Sequence, residues 1–325
     1  MAKSDKINAT YGNQSPGDNK FTAKARLLQS MYRVSKCESR MGRGPSRNST
    51  DKDGNPTFYG NMLVNGKYTG KNFFFNETFE YAIKRVDDPR VRKPEETIDE
   101  YRLFNNMLSS MPMAFNLFHP LMMIRKQYPD QLNRIVAALF PEFPVVQVDE
   151  IKIEFIPTPI GNYTRDYSAM DAAIFFSDED NNKYLIAIET KYTDVLGSNL
   201  GSNNDVELAV AMESGLFTTE GLEKIRTESC NQIYRNFLLT EKYRMVHKLK
   251  DSCSIVLAPK DHPTTEGEIN SLLDYLKPEN RYKLSKYTLE DFLKVIQENC
   301  PEEFKGWTED FMERYLRFEN VEMIM

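Results

Sequence analysis

The chain has 325 residues, 40% of them hydrophobic and 28% charged, with a formal net charge of −6. That length and balance allow a substantial core in one large domain or two smaller ones, and no run approaches the roughly eighteen uninterrupted apolar residues that a membrane span needs. The acidic total argues against indiscriminate nucleic-acid binding, although binding responds to the local field rather than to the sum.

The N-terminus, MAKSDKINATYGNQSPGDNK, lacks the apolar core of a secretory leader. The first fifty residues are locally basic: Lys3, Lys6, Lys20, Lys24, Arg26, Arg33, Lys36, Arg40, Arg43 and Arg47 face only Asp5, Asp18 and Glu38. Such a start is either a solvated segment or a surface that meets phosphate. Residues 1–75 read as a basic, loop-rich extension with one helix over 24–36, followed by the turn-rich stretch MGRGPSRNSTDKDGNPTFYGN. A helix is expected across EETIDEYRLFNNMLSSM, where Ile98, Tyr101, Phe104, Leu108 and Met111 recur at helical spacing behind Pro94. A second covers DQLNRIVAALF and stops at Pro141 and Pro144.

The period then changes. VVQVDEIKIEF, AMDAAIFFS and KYLIAIETKY read as strands, and SDEDNNK between the last two is turn chemistry. The Gly/Ser/Asn loop LGSNLGSNN follows, then a long helix over 219–246, then a buried strand, SCSIVLAP. Thr288 and Thr308 are each placed to cap a C-terminal helix. Strands set among helices give an α/β class with a mixed sheet. The expected division is an extension over 1–75, a core over 76–265 and a helical segment over 266–325 packed on the core.

Cys37, Cys230, Cys253 and Cys300 form no CxxC, so they read as reduced thiols of a cytoplasmic protein rather than a zinc site or a disulfide framework. His119, His247 and His262 form no tight ligand motif. The chemistry rests instead on two charges inside the third strand. Alternation puts Leu185, Ala187, Glu189 and Lys191 on one face. If the hairpin turns near Asp180, facing positions sum to about 360, which sets Asp171 across from Glu189. Two carboxylates held together repel, and a divalent cation between them removes that cost. Mg²⁺ suits such hard oxygen ligands, and the adjacent lysine can stabilise charge developing on a phosphate. The pattern [DE]-x-K also occurs at Asp18–Lys20, Glu150–Lys152 and Glu303–Lys305, but only Glu189–Lys191 adds a strand, an upstream Asp at hairpin distance and a helix downstream. The competing account is an edge strand carrying a solvated ion pair.

MDAAIFF followed by LIAIETKY resembles the core of the PD-(D/E)xK, or restriction-endonuclease-like, nuclease superfamily. Asp171, Glu189 and Lys191 match the motif's residues, with Met170 in place of its proline. LFNNMLSSMPMAFNLF, EFIPTPIGNYTRDYSAMDA and CNQIYRNFLL are similar to segments of an uncharacterised bacterial group within that superfamily. The resemblance implies a central mixed sheet flanked by helices and Mg²⁺-dependent phosphodiester hydrolysis, with Mn²⁺ as a substitute and DNA as the expected nucleic acid. It also implies metal binding by Asp171, Glu189 and the backbone carbonyl of Thr190, with Lys191 positioning the water. Many such nucleases act as homodimers.

Further residues carry both a functional and a structural reading. Glu100, or Glu96 beside it, could add a metal ligand from a helix or be a solvated carboxylate. Glu154 and Asp166 match acidic positions of the resembling group but serve equally as ion-pair partners. Gln232 and Arg235, one turn apart on a helix, either attend the site and phosphate or form an exposed polar face. Tyr163 and Arg165 either contact phosphate or form a turn, and Trp307 reads as core. Three readings follow: a metal-dependent nuclease, a catalytically silent relative that binds nucleic acid or assembles with it, and a non-catalytic α/β protein with a surface ion pair.

Overall fold

The computed structural model describes residues 3–90, 97–194, 204–227 and 232–324. The chain forms two compact units, one from Met1–Pro94, Ile98–Pro120 and Glu302–Met325, the other from Glu95–Thr97 and Leu121–Pro301. These units divide the chain at places other than residues 75 and 265. In the first unit the C-terminal helix Lys305–Tyr315 packs on the helix Lys20–Tyr32. Gln29 donates from Nε2 to the Arg314 carbonyl at 2.7 Å, and Arg314 donates from Nη1 to the Asn72 carbonyl at 2.8 Å. Trp307 is buried, with its indole N–H donated to the Asn116 carbonyl at 2.9 Å, as a core residue requires.

The second unit holds a five-stranded sheet in sequential order: β1 (Gln147–Phe155), β2 (Met170–Ser177), β3 (Lys183–Thr190), β4 (Asp251–Ala258) and β5 (Leu284–Thr288). β1, β2 and β3 pair antiparallel, whereas β3, β4 and β5 pair parallel. The parallel steps need crossovers, and helices supply them: Asn204–Ser214, Thr219–Thr227 and Gln232–His247 before β4, and Thr265–Leu273 before β5. The helix Gln232–His247 covers the face that carries Leu185 and Ala187, through Leu239 and neighbours. The sheet is α/β and mixed, and β3 lies at its centre with partners on both sides. The tight turn between β2 and β3 is closed by Asp178, whose Oδ1 accepts from Asn182 N at 2.8 Å, with Asn181 at φ 60°.

Several expected elements differ. The helix foreseen over 95–111 is broken: Glu100–Asn105 is helical, and a separate helix, Ser110–Gln127, starts at the end of the stretch and runs through Pro120. Between them, Asn and Ser side chains take backbone N–H groups from the helix: Leu108 N donates to Asn106 Oδ1 at 3.0 Å and Met111 N to Ser109 Oγ at 3.3 Å. Pro94 and Glu96 lie outside the described residues. The first expected helix starts four residues earlier, at Lys20, because Asn19 caps it by accepting from Thr22 N at 2.8 Å. Helix occupies Thr219–Thr227 and Gln232–His247 of the stretch 219–246, with residues 228–231 outside the described set. Thr288 caps its helix as expected, but Thr308 lies inside the helix Lys305–Tyr315 and donates to the Lys305 carbonyl at 2.8 Å. Among the described residues, no helix is long and apolar enough to cross a membrane.

His119 in the first unit is buried, stacked on Tyr81 at 4.7 Å and bonded through Nδ1 to Thr78 Oγ1 at 3.0 Å. Burial pushes its pKa down to about 4, with Glu77 opposing. The unfolded chain therefore takes up this proton first as pH falls, so the neutral ring's contribution is complete above about 6.5 and is lost towards 4, a difference of about 3 kcal/mol. Urea unfolding of His119→Gln against the parent should show that slice of the acid slope removed; parallel slopes would contradict it.

Candidate active site

Asp171 stands second in β2 and Glu189 next to last in β3. The β2/β3 ladder pairs Ser177 with Lys183 and Ala172 with Ile188, so the register carries Asp171 to the position facing Glu189. Asp171 Oδ2 accepts from the Thr190 amide at 2.7 Å and from its hydroxyl at 2.8 Å. Those two bonds fix the carboxylate against the end of β3. Lys191 continues the β3/β4 ladder by donating its amide to the Leu257 carbonyl at 2.8 Å. Its ammonium lies 2.6 Å from Glu189 Oε1, and each side chain is only 5% exposed.

The account of a solvated edge pair therefore fails for this motif. β3 is central, and the pair is buried. The other strand-borne copy behaves as that account requires: Glu150 and Lys152 meet at 3.2 Å with side chains 52% and 34% exposed.

The helix Gln232–His247 closes over the pair. Lys191 donates to Gln232 Oε1 at 2.7 Å, and Asn236 donates to Glu189 Oε2 at 2.5 Å. Gln232 and Asn236 are four apart and so share a helix face. Burial pushes Glu189 up to about 7, with Asp171 adding to the rise and Lys191 opposing it. Burial raises Asp171 as well, against Lys191 and the Thr190 bonds. For Lys191 burial works against the charge, but Glu189 and Asp171 outweigh it and hold the pKa above its ordinary value. The two carboxylates thus remain mutually repelling even with an ammonium beside them.

Two carboxylates held against each other in this way fit a hard divalent cation that keeps some of its waters. Among the described residues, no three carboxylate, histidine or cysteine side chains converge on one cation position.

The remaining expected residues are distributed unevenly. Glu154 lies in β1 between Ile153, which pairs with Ala172, and Phe155, which pairs with Met170, so its position faces Asp171. Glu154, Asp171 and Glu189 thus occupy one row across three strands. Glu154 is buried and has a left-handed backbone at φ 49°, a conformation that costs about 1 kcal/mol or more outside glycine. Asp166 closes its own turn, accepting from Thr164 Oγ1 and Ser168 Oγ at 3.0 Å each. Arg235 is half-buried on the same helix as Gln232, and its Nε has no hydrogen-bond partner among the described residues. Tyr163 is packing, stacked on Tyr243 and bonded to His247 Nε2 at 2.9 Å, whereas Arg165 is exposed. Glu100 belongs to the other unit, where it pairs with Lys67 at 3.1 Å and Arg47 at 3.7 Å. The loop residues 195–203 and Cys230 lie outside the described residues.

Asn236 escaped the sequence reading, although its spacing from Gln232 was a usable signal. So did Asp194 and His262. Both bear electrostatically on Lys191, and His262, buried and bonded through Nδ1 to Thr265 Oγ1 at 2.6 Å, has its pKa lowered by burial and by Lys191. Asp194 is only three residues beyond Lys191 and reads as loop, whereas no local pattern links His262 to a lysine seventy-one residues earlier.

A family model described as PD-(D/E)XK nuclease superfamily matches residues 16–317. The chain belongs to that superfamily. No curated protein and no solved structure matches it. Membership accounts for the mixed sheet flanked by helices, and the match takes in residues of both compact units.

Removing one partner from a buried pair strands the other's charge. Lys191→Met should lower the unfolding free energy by about 3 kcal/mol, and adding Glu189→Gln should recover most of that loss. Lys152→Met should cost less than about 1 kcal/mol. Equal costs at the two sites, measured by denaturant unfolding, would contradict the burial described.

Proposed function

We propose that this chain is a metal-dependent nuclease that hydrolyses phosphodiester bonds, with DNA as substrate. The observation that carries the reading is the buried Glu189–Lys191 pair at the centre of the sheet, with Asp171 facing it. Asp171, Glu189 and the Thr190 carbonyl would hold Mg²⁺ or, in its place, Mn²⁺. Bound there, the ion supplies a Lewis acid for the phosphate and makes water more acidic.

The chain's own residues do the rest. Lys191, restrained by Glu189 and Gln232, offers a fixed ammonium to the attacking water and to charge growing on the phosphate. Gln232 accepts from that ammonium and so sets its direction. Asn236 fixes the Glu189 carboxylate from the other side. Thr190 orients Asp171 through two donors, so both carboxylates are preorganised before any ligand arrives. Arg235 offers a guanidinium on the same helix for a phosphate oxygen, and Glu154 serves as a further acid beside Asp171. Among the described residues, Cys37, Cys253 and Cys300 are thiols outside any disulfide, which suits a cytoplasmic protein.

Calorimetry with Mg²⁺ and Mn²⁺, paired with digestion of plasmid and single-stranded DNA, tests this. Asp171→Ala and Glu189→Ala should lose metal binding and cleavage together. Lys191→Ala should keep metal binding while cleavage falls by roughly 10²–10³-fold, as for loss of one preorganised charge-stabilising group. Metal binding without cleavage in the parent would favour the catalytically silent relative, and identical behaviour of parent and variants would sink both.

A further inference from the structure

The first unit contains a cleft of about 480 Å³ that none of the chemistry above uses. It is lined by three cations, Arg43, Arg47 and Lys67, and one anion, Glu100, together with Phe58 and Tyr68. The aromatic rings face solvent: Tyr68 is 86% exposed and Phe58 44%. Both rings line the cleft beside its cations, so apolar ring surface and positive charge are open to solvent together.

The cleft is built rather than accidental. Gly66, which opens the short helix carrying Lys67 and Tyr68, donates its amide to Asn105 Oδ1 at 2.9 Å. A Cβ at Gly66 would lie 1.7 Å from the Phe104 carbonyl oxygen, so only glycine permits this seat. On the opposite wall the Tyr101 hydroxyl donates to the Arg43 carbonyl at 2.7 Å, and Arg43 Nε donates to the Ser49 carbonyl at 2.8 Å. Glu100 draws Lys67 and Arg47 towards the cleft without neutralising it, and Asp87 steadies Lys67 at 2.8 Å. The Arg47 guanidinium lies 5.8 Å from the centroid of the Tyr101 ring, with its side chain 72% exposed.

We infer that this cleft binds single-stranded nucleic acid, taking an unstacked base on Tyr68 and Phe58 and its phosphates on Arg47, Lys67 and Arg43. The volume suits a nucleotide-sized ligand. Open aromatic faces meet bases only where those bases are not already stacked in a duplex, and cations alongside follow the backbone. The inference rests on the nucleic-acid reading above and extends it by assigning this unit a surface for the unpaired strand.

The test is fluorescence anisotropy with the full chain in EDTA, using labelled oligo-dT and oligo-rU of about fifteen nucleotides and a duplex of the same length. The parent should bind the single strands more tightly than the duplex. Tyr68→Ala, exposed enough to leave the melting temperature unchanged, should weaken single-strand binding about tenfold. Arg47→Ala with Lys67→Ala should lower the slope of log affinity against log salt by about 1.4, for two phosphates released from a single strand. Comparison of dT with rU separates DNA from RNA as the source of that strand. Binding lost in Tyr68→Ala, in a protein that cuts nothing, would uphold the cleft and sink the nuclease reading. Unaltered binding by Tyr68→Ala, equal binding of duplex, or no binding by the parent would overturn the cleft, whatever the cutting assay gives.

Discussion

Two carboxylates and an ammonium share a space from which water is largely excluded, and every neighbouring choice answers to that cost. Isolated charges in such a place would neutralise or pull the structure open. Here the ammonium of Lys191 offsets one carboxylate, and Gln232, Asn236 and Thr190 supply the hydrogen bonds that water would otherwise make. The two carboxylates still repel each other, and both stand above their ordinary pKa. A fold tolerates that arrangement at a net cost to its own stability, and that cost is the ground on which a cation is proposed there.

The position of the pair follows from sheet order. A strand at the edge would leave Glu189 and Lys191 in water, as Glu150 and Lys152 are on β1. β3 is instead paired antiparallel on one side and parallel on the other, and the change of direction makes the chain leave the sheet just beyond Lys191. That exit sends the chain out to the helices that return as Gln232–His247 over the same face. The hairpin sets the carboxylates, the crossover brings the helix, and the helix closes the site.

Much of this was legible because it is local. The alternation in LIAIETKY and the turn residues of SDEDNNK fix a two-strand register without any distant information. Glu154 was legible only as a candidate, since fourteen residues separate Phe155 from Met170 and a connection of that length sets no register. The helix over 95–111 misled because apolar spacing is blind to Asn106 and Ser109 competing for backbone donors, and Ser110–Gln127 was hidden because Pro120 reads as a breaker. Thr308 had the identity of a cap, but the chain had already turned helical at Lys305. The grouping of Glu302–Met325 with the N-terminal residues depends on Arg314 reaching Gln29 and Asn72, contacts hundreds of residues apart that composition does not encode.

The central claim is that the Asp171 and Glu189 carboxylates are a seat for a divalent cation. Anomalous scattering from crystals grown with Mn²⁺ tests it most directly. The account predicts a manganese peak bound by the Asp171 and Glu189 carboxylates and the Thr190 carbonyl, absent from crystals of Glu189→Ala. Manganese found only elsewhere on the protein, with Glu189 and Lys191 still closed on each other, would contradict it.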